Sequence, residues 1–117
     1  MKTNELTGAA LDWAVARCEF VGDLPFVSIG GELRSKHDAW HYQPSTNWAQ
    51  GGPIIEREGI SHGKTRNGKS HAAWIGCASD FGMVNFYTGE TPLIAAMRCY
   101  VASKLGEEVD IPKELQP

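Results

Sequence analysis

The clearest pattern of apolar positions lies near the carboxyl end of the chain and predicts a long helix. Apolar residues recur there at helical spacing, with two more beside the stripe: Ile94, Met97, Val101 and Leu105, then Leu93 and Tyr100. Thr91 followed by Pro92 is typical of a helix start, because a proline at the first helical position loses no hydrogen bond. Gly106 predicts the end of the helix, since glycine readily adopts a left-handed conformation.

A similar pattern predicts a second helix near the amino end of the chain. Its apolar positions follow the i, i+3, i+4, i+7 spacing of one buried face: Leu11, Ala14, Val15 and Cys18. Thr7 is the expected capping residue, because its hydroxyl can accept a hydrogen bond from the first turn. Leu6 and Leu11 have the spacing of a hydrophobic staple, and Gly22 is the expected stop.

Short apolar runs between these helices predict strands. The runs lie at residues 26–29, 39–42, 73–77 and 83–87. Residues 79–82 have turn chemistry and predict a hairpin between the last two runs. Pro53 predicts the start of a short helix that ends at Gly59, and residues 45–51 are compatible with one further helical turn.

Together these elements predict a single α+β domain over residues 1–117. A small, mostly antiparallel sheet is flanked by an N-terminal and a C-terminal helix, with a short helix between them. Residues 107–117 form a polar tail with two prolines, which we expect to lie extended on the surface.

Composition narrows the function classes. The 117 residues are 42% hydrophobic and 21% charged, which is typical of one globular domain. A net charge of -3 argues against a general nucleic-acid binder, although it leaves a local basic patch open. The chain has neither an apolar run of about 18 residues nor an apolar leader, so we expect no membrane partner and a cytoplasmic location. The three cysteines, Cys18, Cys77 and Cys99, are expected as free thiols.

Residues 63–70, GKTRNGKS, match the P-loop expression G-x-x-x-x-G-K-[ST] letter for letter. A P-loop needs a buried strand before it and a helix opening from its end. Here the preceding residues are too polar for a central strand, and residues 71–77 favour a strand over a helix. We therefore interpret the segment as a basic surface loop. A nucleotide- or small-ligand-binding enzyme that uses Lys69 and Ser70 remains the alternative function.

His37 and His41 are spaced so that on a helix they would share one face and reach one metal ion. Asp38 stands where a zinc protease of the H-E-x-x-H pattern has its glutamate base. The sequence indicates no long helix here, and Pro44 follows closely. We therefore predict no metal site, no cofactor and no catalytic residue, and keep a His-based metal site within the alternative.

Residues 42–53 have the composition of a recognition loop, with two aromatic rings, several hydrogen-bonding side chains and two glycines. The other interpretation is a loop that packs Trp48 into the core and satisfies its own backbone. Arg98 lies off the apolar stripe of the last helix, where it is solvated or pairs with a carboxylate such as Glu56. The candidate binding residues are Tyr42, Gln43, Ser45, Thr46, Asn47, Trp48, Gln50 and Arg98.

Three segments resemble the NinX-like phage and prophage proteins, in the same order along most of the chain. They are LTGAALDWAVA at 6–16, STNWAQGGPIIEREGI at 45–60 and TPLIAAMRCYV at 91–101. The family is a domain of unknown function, so the resemblance implies a setting and no reaction. That setting is a small accessory protein of a phage or prophage, working in the cytoplasm of the bacterial host.

The P-loop-like segment and the histidine pair fall outside all three segments, which leaves residues 42–52 as the best candidate for a shared surface. Our leading hypothesis is a non-catalytic interaction module that binds a host or phage protein through this surface. Self-association as a homodimer is a further hypothesis, because a small domain with four tryptophans can bury additional surface in this way.

Overall fold

The computed structural model describes residues 1–75 and 86–116. In these residues the helices are α1 (Gly8–Glu19), α2 (Trp48–Glu58) and α3 (Pro92–Leu105). The strands are β1 (Phe26–Ile29), β2 (Glu32–Ser35), β3 (Ile60–Lys64), β4 (His71–Ile75) and β5 (Tyr87–Gly89). Short 3₁₀ helices cover Thr3–Glu5 and Lys113–Leu115. The predicted α+β class is confirmed.

The strands form two small antiparallel sheets. β1 and β2 make a hairpin in which Phe26 lies opposite Ser35, and β3, β4 and β5 form a three-stranded sheet in that order. Gly30 and Gly31 connect β1 to β2 with φ of 60° and 79°, the positive values that a tight two-residue hairpin turn requires. The strand predicted at residues 26–29 is confirmed, whereas β2 was not predicted because Leu33 is its one apolar residue.

Two other strand predictions need correction. Residues 39–42 form no strand, and His41 makes only an isolated bridge with Arg34. The strand predicted at 73–77 begins earlier, at His71, and is described as far as Ile75, since residues 76 and 77 lie outside the described residues. Of the run at 83–87, only Tyr87 is seen to lie in β5. The predicted turn at 79–82 and Cys77 lie outside the described residues.

Helix α3 occupies the centre of the core. It contacts all strands of the three-stranded sheet as well as α1 and α2. Its buried residues are not confined to one stripe: Leu93, Ala95, Ala96, Met97, Cys99, Tyr100 and Val101. The predicted cap is confirmed, because the Thr91 hydroxyl accepts a hydrogen bond from the Ile94 N–H at 3.1 Å. The predicted end at Gly106 is confirmed as well, with φ of 89°.

Helix α1 has the predicted buried face but different ends. Leu6 and Leu11 are both fully buried, as a staple requires. Thr7 precedes the helix as predicted, although within the described residues its hydroxyl makes no capping hydrogen bond. The helix ends at Glu19, before the predicted stop at Gly22.

Helix α2 begins earlier than predicted. Asn47 caps it, since its side-chain oxygen accepts a hydrogen bond from the Ala49 N–H at 2.9 Å. The helix therefore starts at Trp48, and Pro53 lies inside it. The predicted end at Gly59 is confirmed, with the left-handed φ of 66° that glycine tolerates.

The segment after α3 does not lie extended on the surface as expected. Val109, Ile111 and Leu115 are buried and belong to the core, while the polar residues between them remain largely exposed. The segment also pairs with the start of the chain: the Val109 N–H donates to the Met1 carbonyl at 2.9 Å, and the Thr3 N–H donates to the Glu107 carbonyl at 2.8 Å. The first and last described segments thus pack side by side.

Candidate functional site

Tyr42 is a core residue. It is 7% exposed, and its ring stacks on Phe26 with centroids 4.3 Å apart. Its N–H donates to the Leu33 carbonyl at 2.8 Å. Burial raises the pKa of the Tyr42 hydroxyl well above its usual value. Tyr42 therefore anchors the candidate segment, residues 42–53, to the core.

The polar side chains at positions 43–50 are largely used within the segment. Gln50 accepts from the Gln43 N–H at 2.5 Å and donates to the His41 carbonyl at 2.9 Å. The Thr46 hydroxyl donates to the Gln43 side chain at 3.1 Å. Together with the Asn47 cap, these bonds hold the segment in one conformation. The side chains of Gln43, Thr46, Asn47 and Gln50 therefore mainly stabilise the conformation of the segment itself.

Ser45 lies in the interior, against a buried carboxyl group on α1. It is 1% exposed, and its N–H donates to Asp12 Oδ1 at 2.9 Å. Burial raises the pKa of Asp12 from 3.8 to about 6, while the hydrogen bond from the Ser45 N–H limits the rise. This pair fixes the candidate segment to the core.

Trp48 is the exposed aromatic residue of the segment. It is 52% exposed, which excludes the interpretation that it is buried as a core anchor. Its ring lies near that of His62 on β3, with centroids 6.2 Å apart. The neighbouring Gly51 is buried against Pro44 and Leu93, so the helix that carries Trp48 packs tightly on the core. The indole is thus attached to a tightly packed helix, and about half of its surface is exposed to solvent.

Arg98 is partly buried, and it donates to backbone carbonyls instead of pairing with Glu56. Its Nε donates to the Leu6 carbonyl at 2.8 Å, and its Nη1 donates to the Thr88 carbonyl at 2.6 Å. Burial lowers the pKa of Arg98. The side chain joins the segment before α1 to β5, so its role in this structure is a structural one.

Residues 63–70 are the end of a β-hairpin. β4 begins at His71, where a P-loop would open a helix. The N–H groups of Gly68, Lys69 and Ser70 donate to Thr65 and Asn67 at 2.8 to 3.2 Å, so they are not free to cradle a phosphate. The structure therefore agrees with a surface loop.

We expect ATP with Mg²⁺ to leave the melting temperature of this protein unchanged, because the loop N–H groups are already bonded. A ligand at ~100 times its dissociation constant adds ~2.7 kcal/mol, or roughly ten degrees in a domain of this size. Thermal unfolding of the wild type and of Lys69→Ala is the measurement. A shift that the substitution abolishes would contradict the expectation.

The histidine pair is not arranged for a shared metal ion. His37 follows β2 in a turn, and His41 lies beside Arg34, so the two are not on one helix face. Among the residues described, no three His, Cys, Asp or Glu side chains converge as a metal site requires. Cys18 and Cys99 are free thiols, and burial raises their pKa values to about 12 and about 11.

Sequence reasoning missed an aromatic cluster beside the candidate segment, formed by Phe20, Phe26, Trp40 and Tyr42. Phe26 contacts Phe20 and Trp40 edge to face, with centroids 5.4 and 5.6 Å apart. Phe20 and Trp40 remain 38% and 45% exposed. The members come from separate elements, and no local spacing in the sequence indicates that they meet.

Sequence reasoning also missed a charged network that joins the three helices. Arg57 on α2 donates to both carboxylate oxygens of Glu19, at 3.0 and 2.6 Å, and the Tyr100 hydroxyl donates to Glu19 at 2.5 Å. Burial acts to raise the pKa of Glu19, but the hydrogen bonds from Arg57 and Tyr100 outweigh it and lower the pKa. This network stabilises the packing and holds no open site.

Comparison with known proteins places this fold in a family. A family model described as Bacteriophage P22, NinX matches residues 2–104, which include α1, α2, all of α3 except its last residue, both sheets and Trp48. A search of curated proteins finds no match. In the part of the chain described, every helix is too short or too polar to cross a membrane. Since the match covers most of the 117 residues, the chain belongs to the phage NinX family.

Proposed function

We propose that this phage protein is a non-catalytic interaction module in the cytoplasm of the bacterial host. Its partner is a host or phage protein, and Trp48 lies at the centre of the contact. Membership of the NinX family supports the phage setting. The exposed Trp48 is the observation that carries the proposed role.

The local structure favours Trp48 as a contact residue. Tryptophan is enriched among the residues that dominate binding energy at protein interfaces. A rigid support reduces the entropy that such a side chain loses on binding. Here the Asn47 cap, the buried Gly51 and the ring of His62 restrict the position of the indole, which remains 52% exposed.

Trp48→Ala is expected to weaken partner capture at least about tenfold, the effect of losing a central contact residue. Its melting temperature should stay close to that of the wild type, since the indole is half exposed. The measurement is capture from extracts of phage-infected cells by tagged protein, quantified by mass spectrometry, with thermal unfolding of each variant.

Trp40→Ala is the matched control, because Trp40 is 45% exposed and lies in the aromatic cluster instead of on α2. It should retain the proteins that the wild type captures. If Trp48→Ala loses folding and capture to the same extent, or loses neither, Trp48 is not the contact residue.

A further inference from the structure

Strand β1 is an edge strand. In the described residues it pairs with β2 on one side, and its other side is open. Natural edge strands are usually protected from pairing with another chain by charged residues, proline or a bulge. The four residues of β1, Phe-Val-Ser-Ile, carry no charge and no proline, and their register with β2 is regular. This edge is therefore available for pairing.

The hydrogen bonds of β2 show which groups of β1 face outward. The Leu33 carbonyl accepts from Tyr42, and the Ser35 N–H donates to the Trp40 carbonyl, so both residues point away from β1. In an antiparallel pair, when the N–H and C=O groups of one residue point away from the partner strand, those of the residue opposite point away as well. Ser28 lies opposite Leu33, and Phe26 lies opposite Ser35. The N–H and C=O groups of Ser28 and Phe26 therefore point outward from the hairpin.

The side chains of β1 add apolar surface to the same edge. Val27 and Ile29 point to one face of the hairpin and are 38% and 50% exposed. Val21 nearby in the sequence is fully exposed, and Phe20 is partly so. A partner strand that bonds to Ser28 would thus lie next to these two apolar side chains, whereas the paired charges of Arg34 and Glu32 on the same face lie one strand further away, on β2.

One antiparallel register satisfies both the backbone and the side chains. When Ser28 lies opposite the partner's Ser28, the outward N–H and C=O groups of both copies bond to each other. The same register sets Val27 opposite the partner's Ile29 in a pair without hydrogen bonds, where side chains approach most closely. A shift by one residue would move the apolar side chains to the wrong face.

From this self-complementarity we infer that a second copy of this chain binds to β1, related by a two-fold axis that passes beside Ser28. The two hairpins then form one four-stranded antiparallel sheet. Two-stranded sheets are only marginally stable by themselves, so the added strands also stabilise the hairpin. The contact of two four-residue strands is small, as in weak complexes, so we expect the dimer to form only at concentrations of about micromolar or above.

Sedimentation velocity from about 5 to 500 µM tests this dimer. The wild type is expected to shift from monomer to dimer across the range. Ser28→Pro removes an N–H that points away from β2, so the hairpin keeps its own hydrogen bonds while the dimer loses two. Val27→Lys places a charge on the edge. Both variants are expected to bind a second copy at least about tenfold more weakly.

Leu105→Lys is the matched control, because Leu105 is also apolar and 40% exposed but lies at the end of α3. It should dimerise as the wild type does. Circular dichroism of each variant verifies folding, and Val27→Lys keeps the test valid if Ser28→Pro unfolds. A wild type that stays monomeric, or a dimer that both edge variants leave intact, would overturn the proposal.

A cysteine at position 28 tests the register itself. Cα atoms of a hydrogen-bonded pair lie ~5.5 Å apart, within the range of a disulfide. Ser28→Cys in a Cys77→Ser background should therefore form a covalent dimer on mild oxidation. Thr46→Cys in that background is exposed elsewhere and should not. Equal cross-linking of the two would contradict the register, whereas capture through Trp48 is measured separately and is unaffected by either result.

Discussion

Replacing Gly51 with alanine is expected to lower the free energy of unfolding by about 3 kcal/mol, at the upper end of the cost of overpacking a core. A Cβ atom at this position would lie well inside the contact distance of the Pro44 carbonyl oxygen and 2.6 Å from Leu93 Cδ1. The carbonyl belongs to the backbone, so α2 and the segment at Pro44 must move apart to relieve the clash. Urea unfolding followed by circular dichroism measures the loss.

The adjacent glycine provides the control. A Cβ atom at Gly52 would meet Trp48 Cε3 at 3.7 Å, which is ordinary van der Waals contact. Alanine favours a helix over glycine by ~1 kcal/mol, but Pro53 follows directly and disfavours the helical conformation in a residue that has a Cβ atom, so Gly52→Ala should change the stability by less than about 1 kcal/mol. Two neighbouring substitutions of the same kind are thus expected to differ clearly in their cost. Equal effects at the two positions would show that the packing of α2 on Pro44 is not as described.

Replacing Asp12 with asparagine is expected to raise the free energy of unfolding by about 2–3 kcal/mol at about pH 8. Asp12 is 3% exposed, and burial raises its pKa from 3.8 to about 6. Its ionised form therefore destabilises the folded protein. Asparagine keeps the oxygen that accepts from the Ser45 N–H and removes the charge.

The pH dependence of this effect has a definite sign. Between about pH 4 and 6 the folded protein binds a proton at Asp12 that the unfolded chain has released. The contribution of Asp12 to stability is therefore most favourable below this window and is lost as the pH rises through about 6. Glu19 and Glu58 act oppositely, because their lowered pKa values remove stability only as the pH falls below about 4.5.

Urea unfolding at several pH values measures the prediction. The difference between Asp12→Asn and the wild type should shrink towards zero by about pH 4. Asp110→Asn is the control, since Asp110 is exposed and should change stability by less than about 0.5 kcal/mol at every pH. A destabilised Asp12→Asn protein at about pH 8 would show that the carboxylate charge is favourable in this site.

The terminal helices were predictable because their signals are local. Thr91, Pro92 and Gly106 bound α3 through contacts within a few residues. The start of α2 was missed because Pro53 is the more conspicuous helix signal, although Asn47 supplies the cap. β2 was missed for a different reason: its pairing is fixed by the turn at Gly30 and Gly31 and by Tyr42, not by its own residues.

The sequence located the residues of the candidate site, but it could not show which of their side chains are exposed. The composition of residues 42–53 indicates hydrogen bonding and aromatic contact, and it does not show which side chains face inward. That depends on distant partners: Tyr42 is buried by Phe26, and Ser45 is held by Asp12. Arg98 illustrates the same limit, because its partners are backbone carbonyls 92 and 10 residues away.

The pairing of residues 1–3 with residues 107–109 also determines when the protein can finish folding during synthesis. The Met1 carbonyl and the Thr3 N–H obtain their partners only after Glu107 and Val109 have left the ribosome. At 5–20 residues per second, the first segment waits roughly 5 to 20 seconds for them. During that interval the core lacks Val109, Ile111 and Leu115, so the apolar residues that pack with them stay exposed until synthesis is nearly finished.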